Sequence, residues 1–93
     1  MEFGGKTKSK TKLENEMGKR GWTEEDVKDT VDEPHTTRDS ENKANGDSAT
    51  AYYNEDGTYV VVDDVTNEVI QVSNKNDPNW APDSAIQNPY SPK

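Results

Sequence analysis

The sequence predicts an α+β domain in which two N-terminal helices pack on a twisted antiparallel sheet of three to five strands. Three observations carry this. The stretch Ala49 to Ser73, ATAYYNEDGTYVVVDDVTNEVIQVS, holds most of the β-branched and aromatic residues. It divides into three apolar runs joined by connections of about four residues, the pattern of an antiparallel meander. Ahead of it stand two apolar pairs at i, i+4 spacing, Leu13 with Met17 and Val27 with Val31, each the stripe of a short amphipathic helix. The composition is 27% hydrophobic with a mean hydropathy of −1.28 over 93 residues, so one small core is all the chain can build.

In chain order, Met1 to Gly5 reads as an added leader or the start of an excised fragment, and Lys6 to Lys12 alternates Lys with Thr and Ser. Both fit a flexible basic arm over 1–11. Lys12 to Lys19 is the first helix, with Gly21 as its stop. Thr23-Glu24-Glu25-Asp26 begins the second, with Thr23 as N-cap and three acids at the positive end of the dipole; Glu33-Pro34 ends it. Trp22 precedes the cap and is placed to staple that helix onto the core. His35 to Arg38 fits a short edge strand, and Asp39 to Asp47 is polar enough to be a loop. Asn54-Glu55-Asp56-Gly57 supplies a hairpin turn, Thr58 to Val62 a strand, Asp63 to Asn67 a break, and Glu68 to Ser73 a further strand. Residues 88–93 form a flexible tail, with Ile86 and Tyr90 the only large apolar anchors after Trp80.

The totals exclude several function classes. There is no Cys, hence no disulfide or thiolate chemistry. One His without metal-ligand spacing leaves no zinc site. No apolar run approaches the roughly 20 residues that span a bilayer. The net charge of −8 is unevenly spread. Residues 1–20 carry six Lys/Arg against three Glu, and residues 21–93 carry five against sixteen Asp/Glu. The acidic body opposes long-range steering of a polyanion and suits a basic protein partner; the basic end can still meet a phosphate locally.

At Arg20-Gly21-Trp22-Thr23-Glu24-Glu25-Asp26-Val27-Lys28-Asp29-Thr30-Val31 the sequence resembles the ribonuclease domain of colicin E5 and related C-terminal toxin domains of contact-dependent growth inhibition proteins. The resemblance resumes at Ser48 to Tyr52, Tyr59 to Asp64, Glu68 to Ser73 and Asp77 to Trp80, with Asp83-Ser84 and Ile86-Gln87 as further short matches. It spans residues 12–87 in one order, which delimits a ribonuclease toxin domain. It implies a variant of the barnase-like ribonuclease fold. It also implies a metal-independent, cofactor-free endoribonuclease that cuts tRNA anticodon loops at a G (or queuosine)–U step. The implied partners are tRNA and a cognate immunity protein over the active site; no membrane partner is expected, and the free form is expected to be monomeric. The implied place of action is the cytoplasm of a target bacterium, reached by way of a larger parent protein.

By position, the resemblance puts a catalytic lysine on Lys12 and a catalytic arginine on Arg20. Glu16 replaces the family's Gln between them. The base-recognising apolar residue and Trp fall on Val72 and Trp80. Lys43 is the nearest counterpart of a second lysine, and Arg38 completes the substrate-binding candidates. A helix reaching Arg20 sets Lys12, Glu16 and Arg20 along one face at i, i+4, i+8. Cleavage requires the ribose 2′-hydroxyl to lose its proton, the phosphorane charge to be stabilised and the 5′-oxygen to be protonated. A guanidinium offers two N–H bonds to phosphate oxygens and stays charged. An ammonium stabilises the same charge or, with a depressed pKa, exchanges protons.

Plainer readings stand beside these. Arg20 complements a helix dipole, Lys12 is a solvated charge, and Glu16 is a surface i, i+4 partner of Lys12 or Arg20. Trp22 is core, Trp80 is either a core lid or a base platform, and Tyr52, Tyr53 and Tyr59 pack the sheet. His35 is the sole His and carries no catalytic expectation in a family that works without one. The competing functions are a same-fold ribonuclease with another RNA target, or an inactive module whose acidic face binds a basic protein.

Overall fold

Helix α1 spans Lys10–Lys19 and α2 Glu24–Asp32 in the computed structural model, which describes residues 1–92. Four strands follow: β1 Thr36–Asn42, β2 Asp47–Tyr53, β3 Tyr59–Asp63 and β4 Val69–Val72. They form one antiparallel sheet in the order β1-β2-β3-β4, so β1 and β4 are its edges. The helix–helix–meander architecture is the α+β arrangement expected. The Cα radius of gyration is 11.9 Å, against about 12 Å for a folded domain of this length and about 30 Å unfolded. The polar composition therefore does not prevent compaction.

The helix starts are set by side chains. Ser9 caps α1 by accepting from the Lys12 N–H at 3.2 Å, which begins the helix two residues earlier than the apolar spacing implied. Thr23 and Asp26 form a reciprocal capping box at the start of α2, satisfying two donors that would otherwise be unpaired. Gly21, at φ +83°, takes the left-handed conformation that ends α1 just past its C-cap, Arg20.

One expectation is corrected. Asp39 to Asn42 is not loop but the second half of β1, and Asp47 opens β2; only 43–46 turns between them. The β1 sequence TTRDSEN has no apolar residue, so no hydrophobic period marks it. It is strand because every residue has an antiparallel partner on β2, from Thr36–Tyr53 to Asn42–Asp47. The Asn45-Gly46 pair, with Gly46 at φ +79°, is the hairpin signal.

The sheet is covered on both faces. Leu13, Met17, Trp22 and Val27 from the helical half pack on Val60, Val62, Val69 and Val72. On the opposite face Ala49, Ala51, Tyr53, Tyr59 and Val61 are closed over by Ile86, Trp80 and Tyr90 of the irregular C-terminal segment. Each large aliphatic side chain buried this way contributes about 1.5–3 kcal/mol. Trp22 is buried as expected, and its indole N–H donates to the Ser73 carbonyl at 2.7 Å. That bond ties the α1–α2 junction to the end of β4, where the candidate site lies.

Candidate active site

Arg20 is delivered to the β4 edge by the way α1 ends. Its backbone carbonyl accepts from the Lys75 N–H at 2.9 Å, fixing the turn to the chain that leaves β4. Its guanidinium Nη1 donates to the Val72 carbonyl at 2.9 Å and to Glu16 Oε1 at 2.7 Å. The guanidinium carbon lies 4.9 Å from the centre of the Trp80 ring, a cation–π distance. Trp80 is itself held, its indole N–H donating to the Tyr59 hydroxyl at 3.1 Å. The Asp83 N–H donates to the same hydroxyl at 3.2 Å. Burial pushes the Tyr59 phenol upward against these two donors, so it remains a neutral anchor.

Glu16 is shared between two cations. Its Oε1 takes Arg20, and its Oε2 takes Lys8 Nζ, also at 2.7 Å. Glu16 therefore pairs with Arg20 rather than with Lys12, one of the two plain partners the spacing allowed. Lys12 is exposed on the same helix, bordering a groove of about 530 Å³ lined by Ser9, Thr11, Asn15, Glu16, Lys19 and Arg20. About 12 Å of helix separates Lys12 from Arg20, so their long side chains converge only toward a group held over Glu16. The groove's lining carries three cations, Lys12, Lys19 and Arg20, against the one carboxylate of Glu16, which Lys8 also pairs. The chain is acidic, yet this groove is not.

The structure gathers Lys12, Glu16, Arg20, Val72 and Trp80 at one edge, but not in the manner each was expected. The Val72 side chain is fully buried beneath the helices; what it presents to the site is its carbonyl. Arg38 sits on the opposite edge strand, donating to the Asn88 carbonyl at 2.8 Å and to the Thr36 hydroxyl at 2.7 Å. Lys43, in the β1–β2 turn, donates to Ser84 Oγ at 3.1 Å. It borders a second hollow of about 240 Å³ on the C-terminal face, which also holds Lys8, Gln71 and Asp83. Two further residues touch this arrangement, Lys8 through Glu16 and Tyr59 through Trp80; alternation with Thr and Ser marks Lys8 only as solvated, and apolar neighbours mark Tyr59 as core. No periodic signal could have found either. Among the described residues no group of three His, Cys, Asp or Glu side chains is arranged to hold a metal ion, and no helix is long and apolar enough to cross a membrane.

Residues 9–85 match the family model of the Colicin E5 ribonuclease domain. The chain belongs to that family. It is thus a ribonuclease domain, and the α1 end, β4 and Trp80 described above all fall inside the matched region. Among curated relatives it is 41% identical over 86 residues to Colicin-E5 of Escherichia coli, covering 82% of this chain and 47% of the colicin. It is 40% identical over 92 residues to the tRNA nuclease CdiA of Burkholderia pseudomallei, covering 89% of this chain and 7% of that protein. The chain spans about half the length of the first relative and a small fraction of the second.

Proposed function

We propose that this domain is a toxin ribonuclease that cuts tRNA in the anticodon loop at a G (or queuosine)–U step without a metal ion. The observation that carries the reading is the position of Arg20 in a Colicin E5-family domain, lining one groove with Lys12 and lying over the Trp80 ring. Both curated relatives support the substrate class, one by its family and one by its printed description as a tRNA nuclease.

The chemistry follows from these groups. The 2′-oxygen of the nucleotide on the 5′ side attacks phosphorus, its proton leaving to a base, and the P–O5′ bond breaks as the 5′-oxygen takes up a proton. The products are a 2′,3′-cyclic phosphate and a 5′-hydroxyl. Arg20, turning from Glu16, donates two N–H bonds to the nonbridging oxygens, where charge rises in the phosphorane. Lys12 supplies the second positive charge and the exchangeable proton. Trp80, rigidly held by Tyr59, stacks the base beside the scissile phosphate. Arg38 and Lys43 contact RNA only where the loop extends along the C-terminal face.

A domain of this kind acts in the cytoplasm of a target bacterium after delivery by a longer protein. A cognate immunity protein covers the surface around Lys12, Arg20 and Trp80. The test is a digest of total bacterial tRNA in EDTA, with new 5′ ends mapped. Cuts between anticodon positions one and two of the Tyr, His, Asn and Asp tRNAs, absent with Arg20→Ala and Lys12→Ala, are the expected result. Cuts elsewhere would transfer the mechanism to another RNA target, and no cutting by folded protein would overturn the proposal.

A further inference from the structure

Lys8 lies outside the matched family region, which begins at residue 9, yet its ammonium pairs with Glu16, the carboxylate that also holds Arg20. The segment before α1 runs as a strap along the β4 side of the sheet. The Glu2 N–H donates to the Asn67 carbonyl at 2.7 Å, and the Glu2 carbonyl accepts from Val69 N–H at 2.9 Å. Glu68, buried, then takes the Lys6 N–H on one oxygen at 2.9 Å and the Thr7 N–H on the other at 3.3 Å. Gly5 passes so close to this carboxylate that an added Cβ would collide with it. The Thr7 hydroxyl accepts from Asn42 Nδ2 at 2.9 Å. With residues 2, 6 and 7 fixed in this way, the next side chain, Lys8, is aimed at Glu16.

Glu16 poses a physical problem for phosphate binding. It occupies Arg20 while the site is empty, and once Arg20 turns to a phosphate it would be left as a bare carboxylate beside an incoming anion. Removing one partner from a half-buried ion pair leaves its charge uncompensated, and like charges at close range repel. Lys8 removes the problem because it holds the other oxygen of Glu16 independently of Arg20. Its side chain is only 18% exposed and that of Glu16 15%, so solvent screens this charge incompletely.

We infer that Lys8 is a positioning residue for the substrate phosphate. It keeps the Glu16 carboxylate neutralised and in place, so that Arg20 can exchange it for a phosphate oxygen. This rests on the proposed RNA-cleaving function and makes the strap part of the catalytic unit. Lys8 acts through Glu16 and does not touch the substrate.

The test is a double-mutant cycle on RNA binding and cleavage. The probe is a fluorescent tRNA anticodon stem-loop whose loop riboses lack their 2′-hydroxyls, so binding is read without turnover; the all-ribose form reads cleavage. Circular dichroism and Tm establish that each variant is folded. Lys8→Met is expected to weaken binding about tenfold, within the range of couplings between residues in contact, and Lys8→Arg to restore most of it. With Glu16→Gln in place, adding Lys8→Met is expected to change binding by no more than about twofold. An equal loss in both backgrounds would overturn the inference, showing a direct phosphate contact or general strap damage instead. So would no loss at all. Binding that follows the cycle in a protein that never cuts RNA would sustain the Lys8 role and sink the cleavage reading. Folded wild-type protein that binds no stem-loop would overturn both.

Discussion

Arg20 and Arg38 stand at opposite edges of one sheet and make nearly the same contacts. Each guanidinium donates to a backbone carbonyl, Arg20 to Val72 at 2.9 Å and Arg38 to Asn88 at 2.8 Å. Each lies over an aromatic ring of the C-terminal segment, Trp80 at 4.9 Å and Tyr90 at 5.8 Å. Their charge environments differ. Arg20 shares Glu16 with Lys8 and borders the groove that carries Lys12 and Lys19. The remaining Arg38 contacts are neutral, the Thr36 hydroxyl and the Thr37 carbonyl. A guanidinium spent on neutral acceptors anchors the chain it touches. One held by a carboxylate among other cations can trade that carboxylate for a phosphate. The shared carbonyl and aromatic contacts alone would not have separated the two.

The largest expected effect tests that distinction directly. Arg20→Ala is expected to lower the rate of RNA cleavage about 10²–10³-fold, the usual consequence of losing a donor to developing oxyanion charge. Arg38→Ala is expected to change cleavage by only about twofold while lowering Tm, because it frees the segment around Asn88. Single-turnover cleavage and thermal melts on the two variants measure both arms. Equal losses of activity would mean that the two edges serve the substrate alike, and the comparison would fail.

The aromatic partners sharpen it further. Trp80→Ala is expected to cost about 1–3 kcal/mol of RNA affinity through the lost stacking platform. Tyr90→Ala is expected to leave affinity unchanged and reduce stability. Both rings contribute to the same apolar layer, so Tm falls in each case and only titration with noncleavable RNA discriminates. A Trp80 variant that melts earlier but binds normally would make Trp80 a core lid, the plainer of its two sequence readings.

How much of this was legible in the sequence follows the same division. The helix face could be read because Leu13 with Met17, and Val27 with Val31, recur at helical spacing and Val60, Val62, Val69 and Val72 fall in apolar runs. Arg20 and Trp80 were legible through family resemblance, and the structure brings them within cation–π distance. The other regions gave no period to read. β1 is a strand by pairing alone, and the C-terminal segment covers a sheet face with isolated side chains and no regular structure of its own. The strap is fixed by backbone donors to Glu68 and by Asn42, bonds that no residue pattern announces. Lys8 was invisible for that reason: its position is a consequence of where Glu68 sits, 60 residues later in the chain.

The smallest expected effect concerns the end of the sheet where the two edges are tied together. Asp63, at the end of β3, is buried. One of its oxygens accepts from Asn42 and Asn45 of the β1–β2 hairpin, and the other from the Val65 and Thr66 N–H groups before β4. Desolvation alone would raise this carboxyl; the hydrogen bonds from Asn42, Thr66, Val65 and Asn45 outweigh it and hold it well below the usual range. A carboxyl depressed in the folded state contributes stability that is present above its unfolded pKa of about 3.9. That contribution is lost as pH falls from there toward the folded value. Asp47 works in the opposite sense, raised by desolvation and by the neighbouring Asp63 charge, so the observed slope is a difference between the two. Tm is expected to fall by several degrees between about pH 5 and pH 3, and Asp63→Asn to flatten that limb while lowering Tm at neutral pH. The β1–β2 turn and the β3–β4 turn should lose amide exchange protection together on acidification, because one carboxylate holds both. Loss confined to one turn would show that the two edges are stabilised separately.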